Sequence, residues 1–447
     1  MSDRREFLRR AAASATATVV APLAAAAALN GVFPANRFHA GLLLADEPAR
    51  PNASRPKLAV VTTEWRYRSH AWHMAERFLG GYPIEGRWHR PEFEVVSAYV
   101  DQRPESDLSR DRAREFGFTI YDSVAAALRC GGDKLAVDGV LLIGEHGSYP
   151  LSDLGQTKYP RYELFTQIAD VVEKDGRPIP VFNDKHLSWN IDWAFTMVER
   201  AKRLKMPFLA GSSLPVTWRM PSIDMPYGAD VEEMLCVAIG SVDSYDFHAL
   251  EVLQCMAERR SGGETGVAHL QALRGDAVWK AMESGGWPQG GWDLRLFEAC
   301  LSRSQTLAQT PTGSHRYPTV AQMKEWVKAP VAYRYEHKDG LKVTMLLMNG
   351  LVGDFTFAAR LKGQTEPLST LFYLPPNPNV VYSAALMSKA EEMFRTGRPP
   401  YPIERTLLTT GLVQAGMESL SLGGKRLETP RLAIRYQAPP ESLFWSK

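Results

Sequence analysis

The chain has 447 residues, too many for one small core and enough for two domains. With 45% apolar and 23% charged residues, it has an ordinary globular composition. A formal net charge of +2, without any basic tract or stripe, excludes nucleic acid as a partner. Cys130, Cys236, Cys255 and Cys300 stand far apart with no CxxC pair, which excludes a zinc knuckle or a disulfide scaffold.

Arg4-Arg5 just before Phe7-Leu8 resembles the twin-arginine export signal. The run from Ala11 to Ala28, rich in Ala and Thr and broken by Pro22, is too weakly apolar for a stable membrane span. Ala26-Ala27-Ala28 offers a small-residue cleavage site. The twin-arginine translocase moves folded proteins, often ones that already hold a cofactor, so a periplasmic enzyme with a retained cofactor is expected. Residues 1–30 read as the signal and 31–56, with Pro34, Pro48, Pro51 and Pro56, as a linker.

Past the linker, apolar runs alternate with helical stretches. Leu58–Thr62 suits a buried parallel strand and Ala71–Leu79 a helix; Phe93–Val100 is a second strand, ending at Asp101. Ser109 caps a helix that stops at Gly117, and Asp122 opens an Ala-rich helix to Cys130. Val137–Ile143 and Pro180–Phe182 are further strands, and a helix over Ile191–Leu204 leads into Phe208–Ala210. This rhythm predicts a doubly wound parallel sheet, a Rossmann-like domain over 57–211.

From Gly211 the texture changes. Longer alternating stretches at Glu233–Ile239, Val331–Glu336, Leu341–Met348 and Gly353–Leu361 predict an open, mostly antiparallel sheet with helices on one face. That is an α+β domain over 212–447. Helices are expected at Ser383–Arg395 and Glu404–Ser421, and a last strand at Leu432–Tyr436.

In an open parallel sheet, ligands lie beyond the carboxyl ends of the strands. Four polar loops fall there: Thr63–His70, Asp101, Gly144–Tyr149 and Asn183–His186. A dinucleotide site normally has a glycine-rich first turn that lets pyrophosphate approach a helix N-terminus. Here Glu64, Trp65, Arg66, Tyr67 and Arg68 fill that turn, so Arg66 and Arg68 are the candidate phosphate ligands, with Glu145 a further cofactor-binding candidate. Asp101 stands where an acid takes the ribose hydroxyls. His70 and His73 share a helical face, and with Glu145, His146, Asp184 and His186 they offer ligands suited to a divalent metal. Lys185, ending a buried strand, suits acid–base work or polarising a hydroxyl. His248 and Glu251 share a helical face, which would let Glu251 orient the imidazole.

The pattern resembles the Gfo/Idh/MocA family, named for glucose–fructose oxidoreductase and inositol dehydrogenase. Pro180-Val-Phe-Asn-Asp-Lys185-His is similar to the family's strand ending in Glu-Lys-Pro, whose lysine contacts cofactor and substrate. Ser244-Tyr-Asp-Phe-His248-Ala-Leu-Glu251 is similar to its Gly-x-His-x-x-Asp segment, whose histidine is the acid/base. Phe394 to Ser421 resembles the late helices that close its sheet domain. The resemblance implies NAD or NADP, a sugar or glycoside substrate and a homo-oligomer, with Lys185 and His248 working on a sugar hydroxyl. The chain departs from the family in three places: the glycine fingerprint is missing, Glu-Lys-Pro has become Asp-Lys-His, and Ser244 replaces the Asp four before the histidine.

Three readings stand open. One is an exported oxidoreductase using a nicotinamide cofactor. A second is a non-redox, metal-dependent lyase, isomerase or hydrolase acting on a carbohydrate. A third is an inactive carbohydrate-binding module, with Trp65, Trp72, Trp88, Trp218 and Tyr149 as stacking surfaces.

Overall fold

The computed structural model describes residues 55–310, 317–376, 379 and 381–446. The expected signal over 1–30, and all of the linker but its last two residues, lie outside them. β1 (Lys57–Thr62) buries five of its six residues, because it runs through the middle of a parallel sheet. After a small hairpin of β2 (Tyr82–Ile84) and β3 (Arg87–His89) come β4 (Glu94–Val100), β5 (Thr119–Tyr121), β6 (Gly139–Ile143), β7 (Val181–Asp184) and β8 (Phe208–Gly211). The sheet order is β5-β4-β1-β6-β7-β8, and every pairing is parallel. This is the strand order of a dinucleotide-binding sheet.

Five helices connect these strands: α1 (His70–Gly80), α2 (Ser109–Phe116), α3 (Val124–Leu128), α4 (Arg161–Asp175) and α5 (Ile191–Arg203). Alternation along β1 sends Ala59 and Val61 to the face covered by α3, α4 and α5. Leu58 and Val60 face the other way, against α1 and a helix from the far end of the chain. The sequence reading lacked α4. Its buried Leu164, Phe165, Ile168, Ala169, Val171 and Val172 fall at helical spacing between Pro160 and a left-handed Gly176.

The second sheet is built from β9 (Trp218–Met220), β10 (Val231–Ala238), β11 (Val267–Arg274), β12 (Val331–His337), β13 (Lys342–Leu347), β14 (Phe355–Leu361), β15 (Leu368–Tyr373) and β16 (Leu427–Glu428). Its order is β16-β11-β12-β13-β10-β14-β15-β9, antiparallel except at the centre, where β10 and β13 run parallel. Helices cover both faces, against the expectation of one. α6 (Tyr245–Ala257) packs on the face of Met234, Cys236 and Tyr333. On the face of Leu235, Val237 and Ala332 lie α7 (Asp276–Ser284), α8 (Leu294–Arg303) and α9 (Val320–Trp326).

α10 (Ala384–Thr396) returns to the first sheet, where Leu386, Met387, Ala390 and Met393 pack with Leu58, Val60, Leu141 and Phe182. α11 (Glu404–Ser421) is buried along most of its length. The strand expected over Leu432–Tyr436 does not form. Pro430 opens a 3-10 turn instead, and Tyr436 makes an isolated bridge to Glu264. Among the described residues no helix is long and apolar enough to cross a membrane.

Candidate active site

The strands on either side of β1 and β6 run outward in opposite orders, so their C-terminal loops gather at one edge. The first and third of the four polar loops are tied together: Thr63 Oγ1 donates to the Glu145 carbonyl at 2.6 Å, and just before them Thr62 Oγ1 donates to the Ile143 carbonyl at 2.9 Å. Ser69 caps α1 by accepting from the Trp72 amide, which sets His70 at the helix's first position.

A buried charge set forms the centre. Glu145 accepts from Lys185 Nζ at 2.9 Å and pairs through its other oxygen with Arg161. Burial by itself would raise the Glu145 carboxyl; Lys185 and Arg161 outweigh it and hold it well below the usual carboxylate range. Arg161 reaches this place because Gly144 has no side chain, since a Cβ there would stand 2.6 Å from Arg161 Cγ. Arg161 Nη1 also donates to His186 Nε2 at 3.1 Å, a bond only a neutral ring nitrogen accepts. Burial, with Arg161 adding to it, keeps His186 neutral by pushing its pKa well down.

Two histidines are oriented beside this set. His70 Nδ1 lies 2.6 Å from Oδ2 of the fully buried Asp184. In the neutral ring that contact places the hydrogen on Nδ1 and makes Nε2 the acceptor. His248 Nδ1 is 2.6 Å from Ser212 Oγ, which itself accepts from the Leu214 amide. Assigning the Ser212 hydroxyl hydrogen to Nδ1 gives that hydroxyl its one donor bond and places the His248 hydrogen on Nε2. Burial, reinforced by the Lys185 ammonium, depresses the His248 pKa and keeps the ring neutral.

Two physical marks single out this edge. Arg68, His146, Lys185 and Asp243 hold left-handed backbone, with φ of 63°, 73°, 59° and 68°. Non-glycine residues persist there at a cost of ~1–3 kcal/mol each only when their surroundings demand it. In addition, Asp184 Oδ1, His146 Nε2, His186 Nδ1 and Asp243 Oδ1 are buried without a protein partner. Such atoms are rare, and four of them around one edge point to a polar ligand.

The structure thus gathers Lys185, Glu145, His70, His146, His186 and His248 at one rim, and assigns other duties to the remaining candidates. Arg66 Nε pairs with Glu64 at 2.8 Å, and the exposed Arg68 lies over the Tyr67 ring. Asp101 is bound by the hydroxyls of Tyr99 and Tyr149. Trp65 is no stacking platform: it is fully buried against Phe118, with ring centroids 5.6 Å apart. The expected metal set does not assemble; among the described residues no three His, Cys, Asp or Glu side chains converge as ligands. His70 is spent on Asp184 and His186 faces the Arg161 cation. His73 stacks on Tyr382 at 4.5 Å, and burial there, helped by neighbouring cations, lowers its pKa to about 3.

The expected role of Glu251 also changes. It does not touch His248. It accepts from the Ser212 amide at 3.3 Å and from Thr409 Oγ1 at 2.8 Å, acting on the loop that holds the histidine. Three residues were missed as site members: Arg161, Ser212 and Asp184 in its pairing with His70. The Pro160–Gly176 frame signals the helix that starts at Arg161; nothing local signals Ser212.

No family model matches the sequence, and no curated protein matches it. Solved structures do match in shape. GenD2 from gentamicin A biosynthesis, in complex with NAD, is 11% identical, with 84% of this chain and 97% of that one covered at a TM-score of 0.52. A super-repressor mutant of Gal80p from Saccharomyces cerevisiae is 10% identical, with 85% and 100% covered at 0.50. A candidate myo-inositol dehydrogenase from Sinorhizobium meliloti 1021 is 11% identical, with 83% and 99% covered at 0.50. At such identities the likeness speaks for the fold alone, and a repressor among the matches shows that the fold does not settle function. The chain shares with these structures its fold, a Rossmann-like parallel sheet followed by a mixed sheet.

Proposed function

We propose that this protein is an enzyme that moves a proton on a hydroxyl of a small, sugar-like substrate at the rim of the first sheet. The observation that carries this is the His70–Asp184 contact of 2.6 Å, set among buried, unpartnered polar atoms. The substrate O–H bond breaks as its proton passes to His70 Nε2. The Asp184 carboxylate stabilises the imidazolium that results. The Lys185 ammonium and the His248 Nε2–H offset charge developing on the substrate oxygen. The polar, hydrogen-bonding character of the rim supports a polyhydroxylated substrate, and the likeness to GenD2 and to a candidate inositol dehydrogenase supports the same class.

A nicotinamide dinucleotide, such as GenD2 holds, would accept hydride from the carbon bearing that hydroxyl. The residues at the adenosine end do not fit one laid along the edge in the usual way. The first turn has no glycine, Trp65 and the Glu64–Arg66 pair fill it, and both oxygens of Asp101 are taken. The steps above therefore involve this chain's residues only. The Arg4-Arg5 pair supports export through the twin-arginine translocase to the periplasm.

The test incubates sugars and cyclitols with the protein and NAD or NADP in deuterated water. A carbonyl product with reduced nicotinamide supports the redox form; deuterium at the carbon beside the carbonyl of an open-chain sugar, without reduced nicotinamide, supports a non-redox form in which His70 Nε2 takes that C–H proton to give an enediol and a solvent deuteron replaces it. Either activity should fall about 10²–10⁴-fold in His70→Gln. A fully active variant, or no product from any candidate, rejects the proton-transfer site.

A further inference from the structure

The carboxylate that ends the second strand of a Rossmann-like sheet is the group offered to the ribose of an adenine dinucleotide. In this chain that group is Asp101, and its partners come from the chain itself. The Tyr99 hydroxyl donates to Oδ1 at 2.8 Å, and the Tyr149 hydroxyl donates to Oδ2 at 2.6 Å. Tyr149 belongs to the loop after β6, and the same loop is pinned to Gln102. The Ser148 amide donates to Gln102 Oε1 at 2.9 Å, and Gln102 Nε2 donates back to the Ser148 carbonyl at 3.0 Å. Gly147 permits this approach. Its φ is +104°, and a Cβ there would stand 2.6 Å from the Tyr149 ring and 3.1 Å from Gln102 Oε1.

We propose that Tyr149 takes the place of a ribose hydroxyl at Asp101 and, with the Gln102–Ser148 pair, closes the adenosine end of the edge, making Tyr149 the residue that decides whether an adenine dinucleotide binds. A ligand that stops short of the adenosine, such as a nicotinamide mononucleotide or a sugar, leaves these contacts intact. A dinucleotide has to break them. The inference shares with the proposed function only the premise that ligands lie along this edge. Its test reads binding rather than turnover, so the two can fail separately.

The full chain is titrated with NADH, NADPH and reduced nicotinamide mononucleotide, following nicotinamide fluorescence and heat of binding. Wild type is compared with Tyr149→Phe, Gln102→Ala and the double variant, each checked for an unchanged melting curve. Freeing one oxygen of a charged acceptor should tighten the dinucleotide about tenfold in Tyr149→Phe, while the mononucleotide changes less than about twofold. A wild type that binds the dinucleotide as tightly as the variants overturns the inference. So does an affinity that falls in Tyr149→Phe, or an absence of dinucleotide binding in every variant, because opening Asp101 would then not be what admits the cofactor.

Discussion

Glu145 stands between Lys185 and Arg161, a buried carboxylate with two cationic neighbours. Removing its charge strands both cations away from water, and breaking a buried pair in this way costs about 3–5 kcal/mol. Glu145→Gln should therefore lower the urea midpoint strongly with little change in m. Adding Lys185→Met should recover part of the loss, since one stranded charge is then gone. A double variant no better than the single would show that the pair is not what holds this loop. Asp184 acts differently, because its visible partner is His70. Asp184→Asn keeps the shape but presents an amide to Nδ1, so the wrong tautomer becomes available. On a substrate found by the test above, kcat should fall about 10²–10⁴-fold while KM moves little. A loss confined to KM would make Asp184 a binding residue and not a positioning one.

At the scale of elements, α11 holds the rim in register with the second sheet. Thr410 Oγ1 accepts from the Leu187 amide at 3.1 Å and Gln414 Oε1 from the Ile191 amide at 2.7 Å, while Thr406 donates to the Ala210 carbonyl at 2.8 Å. On its other side the helix lies so close to β12 that a Cβ at Gly416 would meet the Tyr333 ring at 2.2 Å. Alanine is the better helix former by ~1 kcal/mol, but overpacking a core costs about 1–3 kcal/mol. Since Tyr333 is fully buried and bonded to Asp246, it has no room to yield. Gly416→Ala should thus destabilise the protein in thermal and urea unfolding, against its propensity; a stabilised variant would mean that the two layers are less tightly packed than this.

The same elements explain what could be read from the chain beforehand. The runs that became β1, β4 and β6 are continuous apolar stretches with helical spacing between them, so the parallel sheet was legible. β11 was not read, although its polar His269 and Gln271 alternate with the buried Leu270 and Ala272, because that pattern is only four residues long. The rim itself was legible as four polar loops. The partnerships within it were not: Arg161 meets Glu145 only because Gly144 clears its path, and Asp101 meets Tyr149 across 48 residues. Contacts of that kind belong to the fold and leave no local pattern.

Across the whole molecule, burial has divided the titrating groups into two sets with opposite effects on stability. His73 and His146, with pKa values near 3, and His186 and His248, pushed well below their usual value, stay neutral in the folded chain. Unfolded, each takes a proton near pH 6.5, so stability present above that pH is lost as pH falls, by ~1.4 kcal/mol per unit for each histidine. Asp246 and Glu251 work the other way: burial raises both to about 7. Folded, they are protonated below that pH, whereas unfolded carboxyls stay ionised to about pH 4. Their contribution is therefore full at low pH and is lost as pH rises through 7. Between pH 5 and 6.5 the four histidines outweigh these carboxyls, and the urea midpoint of the wild type should fall as pH falls. Asp246→Asn with Glu251→Gln keeps the hydrogen-bonding shape and removes one set. The variant should then lose stability toward pH 5 more steeply than the wild type, by roughly 2–3 kcal/mol per pH unit, the opposing slope of the two carboxyls removed. A variant whose midpoint stays flat from pH 6.5 to 5 would mean that these histidines accept protons without unfolding. The rim could then carry positive charge in an acidic compartment, and His186 could no longer accept a hydrogen bond from Arg161.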